Sequence, residues 1–283
     1  MQARLDFARD LAHRTGVVLS KRFDERRGEL ARANLESGNA VPRTEFKGRR
    51  ELVTEVDREI EQLLVDAIRT RFPDDAILAE EGVASPRGQK DREASFVWVL
   101  DPIDGTTNFV HGHPSFSISI GLLEGEDVAG GVVLAPALGG RDGGECYWGG
   151  PSVGAYCNDR RIAVSRTEHL RDAVVATGFS YGRNEPGADT NIERFTAALM
   201  EVRGIRRCGS AALDLAFVAA GIYDAYWEKG LAPYDVAAGI ALVLGAGGAI
   251  GVLDPGARPL WDGQVLASNG RVGAELTALF DRP

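Results

Sequence analysis

Apolar positions near the start of the chain recur at helical spacing: Leu5, Ala8, Leu11, Ala12 and Val18 form one stripe over residues 5–19. Residues 24–44 are charged, then bear Gly, Asn and Pro, a pattern that predicts a surface excursion. A second stripe, Val56, Ile60, Leu63, Leu64, Ala67 and Ile68, predicts a helix over 54–71. Thr54 with Asp57 three residues later reads as an acidic variant of the capping box, and Phe72-Pro73-Asp74-Asp75 ends the helix.

Short apolar runs follow. They predict strands at 76–79, running into Glu80-Glu81-Gly82, and at 96–100, running into Asp101-Pro102. Residues 115–120 alternate strictly, with Phe116, Ile118 and Ile120 on one face. Strands at 128–135, 145–148 and 155–164, the last folded about Asn158-Asp159, continue a β-rich stretch. Beyond residue 170 the rhythm changes. Strands at 173–177, 205–208, 223–227 and 249–252 alternate with helices at 192–202, 211–220 and 236–244. The expected fold is a layered α+β and α/β sandwich of alternating helix and sheet layers. Its expected halves are an N-terminal α+β half, 1–155, and a C-terminal α/β half, 156–283.

Composition narrows the function. The chain has 283 residues, 44% hydrophobic and 26% charged, enough for a sizeable core and against long-range disorder. A net charge of -9 argues against a partner bound by neutralising nucleic-acid phosphates. Cys146, Cys157 and Cys208 form no C-x-x-C pair, so neither a disulfide framework nor a zinc ribbon is expected, and a reducing cytoplasm is the default location. The first residues carry acids and no apolar core of a signal peptide. The longest apolar run, 240–250, is short and broken by glycine, so no membrane association is expected.

The segment with most chemistry is Asp101-Pro102-Ile103-Asp104-Gly105-Thr106-Thr107-Asn108. Two carboxylates three residues apart follow a hydrophobic strand, on a rigid base. Hard divalent cations such as Mg²⁺ prefer oxygen ligands of this kind, and a carbonyl between the acids can join them. Gly105 permits close backbone approach and the Thr106 hydroxyl can orient a water. The plainer alternative is an Asp-rich turn capping the next element. Taken singly, Asp57, the Glu80-Glu81 pair and Glu228 read equally as surface acids, and Asp235 as a helix N-cap.

Residues 98–109 as a whole resemble the first signature of the inositol monophosphatase family, Mg²⁺-dependent and lithium-sensitive phosphatases. Tyr234-Asp235-Val236-Ala237-Ala238-Gly239, with the glycine-rich turn ending at Gly248, resembles the second. Residues 52–57, 79–82, 209–212 and 224–228 match minor family features in the same order, and the likeness covers roughly residues 47–270. It implies the inositol monophosphatase and fructose-1,6-bisphosphatase fold, a homodimer, and hydrolysis of a small phosphorylated metabolite, inositol monophosphate first. Relatives on this scaffold act on fructose 1,6-bisphosphate, histidinol phosphate, 3′-phosphoadenosine 5′-phosphate or NADP, and a regulatory binding protein that merely keeps the fold is a further alternative.

Roles follow from the resemblance. Glu80, Asp101 and the carbonyl of Ile103 resemble ligands of a first metal, and Asp101, Asp104 and Asp235 those of a second. Glu80 also resembles a ligand of a weaker third, giving two or three Mg²⁺ in all. Asp57 and Thr106, with Glu80, resemble the catalytic group that orients the attacking water. Asp104, Gly105, Thr106, Gly209, Ser210, Ala211, Glu228 and Asp235 resemble the substrate-binding set. Lys47 resembles a basic residue of the metal-loop region. The electrostatics agree: five carboxylates plus a phosphate bringing roughly -1.5 to -2 cannot coexist without cations. Three features stand outside the site. His111 and His113 read as solvated histidines, Cys208 as a small buried residue, and residues 245–250 as no dinucleotide loop. Arg183, Arg206 and Arg207 are candidates to read a second phosphate. The stretch 24–42 is longer than is usual in the family.

Overall fold

The computed structural model describes residues 1–35, 45–46, 52–82, 94–139 and 143–281. Lys47 lies outside them. Helix α1 (Gln2–Leu35) is followed by the short pair β1 (Glu45–Phe46) and β2 (Leu52–Val53), then by α2 (Glu55–Arg71). Next come β3 (Ala76–Ala79), β4 (Phe96–Asp104), the single-turn helix α3 (Thr106–Val110), and β5 (Ser117–Glu124), β6 (Asp127–Ala135), β7 (Glu145–Gly150), β8 (Gly154–Cys157) and β9 (Arg160–Ile162). The rest of the chain contributes β10 (Val174–Thr177), α4 (Ile192–Glu201), β11 (Gly204–Arg206), α5 (Ala211–Ala219), β12 (Ala225–Lys229), α6 (Pro233–Gly245), β13 (Ala249–Gly251), β14 (Gln264–Ser268) and α7 (Gly273–Phe280).

Strands β3 to β9 form a seven-stranded sheet in sequence order, and the remaining strands a five-stranded sheet in the order β11-β10-β12-β14-β13. The period of two along the strands sets the layering. On β4, Trp98 and Leu100 enter a core with Leu5 and Leu11 of α1 and Ile60 and Leu64 of α2. Val97 and Val99 point the other way, into a core with Leu213 of α5, Ile240 of α6 and Tyr226 of β12. Ala225 and Trp227 face away from Tyr226, towards Ala198 of α4 and Leu276 of α7. Five layers result: helices α1 and α2, the large sheet, α5 and α6, the small sheet, then α4 and α7. Strands that are apolar on both faces are what such a sandwich requires.

The helix over 5–19 continues to Leu35, so residues 24–35 are helical where a surface excursion was expected, and the rest of that expected excursion, 36–44, lies outside the described residues. Phe23 is buried and tilted against Phe109 and Phe116, and the Arg26 guanidinium, also buried, donates to the Val110 carbonyl at 2.8 Å. One polar and one aromatic anchor therefore dock this half of α1 on the segment after the first signature. The intervening charges face solvent, with Arg22 bridging Glu25 and Glu59. Strand β14, which the sequence did not suggest, lies between β12 and β13 and is antiparallel to both.

Helix α6 crosses the large sheet very closely. A Cβ on Gly131 of β6 would stand 2.5 Å from the Ala238 Cα, and one on Gly121 of β5 would stand 2.6 Å from the Ala237 Cβ. Only glycine allows that approach, and the approach carries the N-terminus of α6 over the end of β4.

Candidate active site

Parallel pairing of β3 and β4 aligns Ala79 with Leu100, so the next residues, Glu80 and Asp101, emerge side by side. The Glu80 N–H completes the register by donating to the Leu100 carbonyl at 3.2 Å. Between Asp101 and Asp104 the pairing of β4 with β5 shifts register, re-aiming both acids towards one cavity. The Ile103 N–H donates to Asp101 at 2.9 Å. Gly105, at φ +95°, then turns the chain, and a Cβ there would lie 3.1 Å from the carbonyls of Gly209 and Ser115.

Helix N-termini bring the other acids. Asp57 sits in the first turn of α2, where the expected capping box with Thr54 is present. Asp235 occupies the same position in α6 and accepts from the Ala232 N–H at 2.6 Å. Asp104 caps α5 from outside, accepting from the Ser210 hydroxyl at 2.6 Å and the Ala212 N–H at 2.7 Å. Positive helix ends stabilise carboxylates by about 0.3–1 kcal/mol each, a small offset to burying so many.

Asp101, Asp104 and Asp235 each present an oxygen within 4.8 Å of the others. Burial raises the pKa of all three, and repulsion from neighbouring carboxylates adds to it at Asp101 and Asp235. Asp101 goes well above the ordinary range, through burial and then Glu80, Asp104 and Asp235. Asp235 behaves likewise, through burial and then Asp104. Asp104 reaches only about 6, because Ser210 and the α5 amides counter the burial. Such a set of hard oxygen donors fits a divalent cation, which would replace repulsion with attraction. The cluster can hold a metal.

Beside it, the Thr106 hydroxyl stands 3.0 Å from Asp57 and 3.0 Å from the Ile103 carbonyl, with one proton to give. Asp57 is fully buried and its pKa is raised by that burial, against hydrogen bonds from Thr54 and Thr106. The cavity encloses about 320 Å³ and is lined by Glu80, Asp101, Ile103, Asp104, Gly105 and Thr106 on one side. Gly209, Ala211, Glu228 and Asp235 line it too. Glu228 accepts from the Tyr226 hydroxyl at 2.6 Å, and burial pushes its carboxyl up to about 7.

Ser210 is placed differently from its neighbours: it is buried, turned onto Asp104, and not part of the cavity wall. His111 and His113 are exposed and away from the cavity. Cys208 is half-buried rather than buried, its thiol 3.5 Å from the Tyr223 hydroxyl. Three features escaped the sequence reading. Phe179, Ser180, Tyr181 and Gly182 form a wall of the cavity. Glu61 accepts from the Glu81 N–H at 2.6 Å, steadying the turn that carries Glu80. Asp214 is buried opposite Glu228 with one oxygen unpartnered and a pKa raised well above normal by burial. Polar character alone marks none of them.

A five-layered sandwich with a carboxylate cluster at the ends of its strands and helices is the architecture of a phosphoric monoester hydrolase, and comparison with known proteins agrees. The inositol monophosphatase family profile matches residues 1–281. Inositol-1-monophosphatase of Synechocystis sp. is 42% identical over 238 residues, covering 84% of this chain and 79% of its own. Fructose-1,6-bisphosphatase/inositol-1-monophosphatase of Thermotoga maritima is 36% identical over 98% of this chain and 96% of its own. The structure of inositol monophosphatase from Anabaena (Nostoc) sp. superposes with a TM-score of 0.81 at 34% identity, over 98% and 95% of the two chains. The chain belongs to the inositol monophosphatase family, whose members are metal-dependent phosphatases acting on small phosphorylated substrates. Among the described residues, no helix is long and apolar enough to cross a membrane.

Proposed function

We propose that this protein hydrolyses inositol monophosphate, or a closely similar polyol phosphate, by direct in-line attack of water, with no covalent enzyme intermediate. The observation that carries this reading is the convergence of Asp101, Asp104 and Asp235 within 4.8 Å beside the Thr106–Asp57 hydrogen bond. Two or three Mg²⁺ ions would be held by Glu80, Asp101, the Ile103 carbonyl, Asp104 and Asp235. When bound they supply the positive charge that neutralises the phosphate, acidifies the attacking water and stabilises the leaving alkoxide.

The chain's own groups do the positioning. The Thr106 hydroxyl donates to Asp57, leaving its lone pairs to accept from the water and fix its direction of attack. The N–H groups of Gly105 and Thr106 face the phosphate oxygens. Glu228, held by Tyr226, accepts from a hydroxyl of the alcohol, and the backbone of Gly209 and Ala211 shapes that end of the cavity. Ser210 serves through Asp104. In this division the N-terminal half, residues 1–155, carries most metal ligands, while the C-terminal half, 156–283, carries Asp235 and the alcohol side. A homodimer in the cytoplasm is the setting that family likeness and three free cysteines favour.

The test is phosphate release from inositol 1-phosphate with and without Mg²⁺. Turnover that needs Mg²⁺ and disappears with Asp101→Asn supports the proposal. A folded wild-type protein that releases no phosphate with Mg²⁺ refutes it.

A further inference from the structure

Between β10 and α4 the chain runs along the cavity, which Phe179, Ser180, Tyr181 and Gly182 line. This loop is held firmly. At its far end the buried Asn191 side chain donates to the Thr177 hydroxyl at 2.8 Å and to the Gly178 carbonyl at 2.7 Å, and accepts from the Trp227 indole N–H at 2.8 Å. Within the loop the Gly182 N–H donates to the Ser180 hydroxyl at 3.1 Å, and Arg183 donates to the Ser180 carbonyl at 2.8 Å. A Cβ on Gly178 would overlap the Glu228 carboxylate, and one on Gly230 would stand 2.6 Å from the Ser180 Oγ. The loop therefore rests on the strand end that carries Glu228. The Phe179 ring is tilted against Phe195 of α4 at 5.7 Å. Tyr181 has no such partner: it is 48% exposed and makes no hydrogen bond or ring contact with any described residue. A side chain that is exposed and also lines the cavity stands at its opening.

Two kinds of surface thus meet at the alcohol end. Glu228 offers a hydrogen-bond acceptor, while Tyr181, Phe179 and Leu231, which follows Gly230, offer apolar surface. A cyclic polyol has the complementary form, because its hydroxyls make a polar rim and its ring carbons present C–H faces. An open-chain polyol has no such face. We propose that Tyr181 is a specificity-determining residue whose ring covers the C–H face of a cyclic alcohol while Glu228 takes a hydroxyl of the rim, so that ring-shaped polyol phosphates are selected over open-chain ones. This rests on the phosphatase reading above. The gain comes from the apolar body of the tyrosine, which loses water when the ring enters, and the phenol hydroxyl is not needed for it.

Inositol 1-phosphate and glycerol 2-phosphate are suitable probes, since both are esters of secondary alcohols but only the first is cyclic. Phosphate release from each is measured with Mg²⁺ for the wild type, Tyr181→Phe and Tyr181→Ala. The wild type is expected to prefer the cyclic ester in kcat/KM. Tyr181→Ala is expected to lower that preference about five- to tenfold, the loss that follows removal of one well-placed aromatic face. The loss should fall on KM rather than kcat, because the face is covered equally in the bound substrate and the transition state. Tyr181→Phe should keep the wild-type preference. An equal loss for both esters would show that Tyr181 merely shapes the loop, and would overturn the proposal. So would an unchanged ratio in Tyr181→Ala, or a loss in Tyr181→Phe as large as in Tyr181→Ala, which would assign the effect to the hydroxyl. Release from neither probe by the wild type would instead sink the phosphatase reading itself.

Discussion

Glu228 makes a quantitative test of the site's electrostatics without touching the carboxylate cluster. Its carboxyl is raised from an ordinary 4.5 to about 7, first by burial, with Asp104 adding and both the Tyr226 hydroxyl and Arg207 opposing. A folded-state value above the unfolded one means that the fold prefers the neutral acid. The stability this contributes is complete below pH 4.5 and is lost as pH rises through 7. At 1.4 kcal/mol per pKa unit the full loss is about 3 kcal/mol, an upper figure because Glu228 keeps some solvent across the open cavity. Glu228→Gln is neutral at every pH, and its amide oxygen can still accept from Tyr226. Between pH 5.5 and 8.5 the variant should therefore gain on the wild type by up to about 2 kcal/mol, the part of the loss falling in that window. The measurement is urea unfolding of both proteins in chelator at several pH values, where all other titrations cancel in the difference. At this chain length the gain should also appear as a rise in Tm of several degrees at pH 8.5. Parallel stability curves, or a variant that loses ground as pH rises, would show that the fold tolerates the Glu228 charge and would refute the reasoning.

Asp101→Asn should lower turnover on the order of a thousandfold while the metal-free protein becomes more stable, because one of several repelling carboxylates is gone; near wild-type rates in a folded variant would contradict the assignment. Ser210→Ala should weaken Mg²⁺ activation about tenfold with KM for substrate little changed, since Ser210 holds Asp104 rather than the cavity; a change confined to KM would point to direct substrate contact. Mg²⁺ should support activity and Ca²⁺ should not, because the larger ion accepts irregular coordination and misplaces the water; equal rates with both ions in a phosphate-release assay would argue otherwise. Gly131→Val should cost about 1–3 kcal/mol in chemical unfolding by pushing α6 off the sheet, and should weaken Mg²⁺ activation as Asp235 retreats; wild-type stability would show that the close crossing is not required.

Local signals carried much of the molecule. Thr54 and Asp57 are three residues apart in a strongly periodic segment, so both the helix start and its cap were readable from spacing alone. Asp101 and Asp104 were readable because the bulge joining them is contained within one short string after a strand. The apolar run along 96–100 marked a strand but not its two neighbours, because hydrophobic residues on both faces do not say what covers each face. Residues 24–35 were misread for a related reason. Their helix depends on Phe23 and Arg26 finding Phe109, Phe116 and Val110, partners far away in the chain, while the charged positions between them gave no stripe. Strand β14 escaped notice because its pairing partner β12 is equally remote.

What the sequence determined by itself was the chemistry of the pieces: oxygen donors on rigid element ends, a hydroxyl beside them, and a chain too acidic to bind phosphates without cations. Tertiary structure decided which pieces meet. The parallel register of β3 and β4 sets Glu80 next to Asp101, and the glycine-lined crossing of α6 delivers Asp235 to them both. Direction was likewise beyond the sequence. Ser210 turns to Asp104, Arg207 alone of three arginines faces the cavity, and Asp214 is buried opposite Glu228. A residue's identity fixes what it can bond, but burial and long-range packing fix which partner it has, and those arise only when separate segments close on one another.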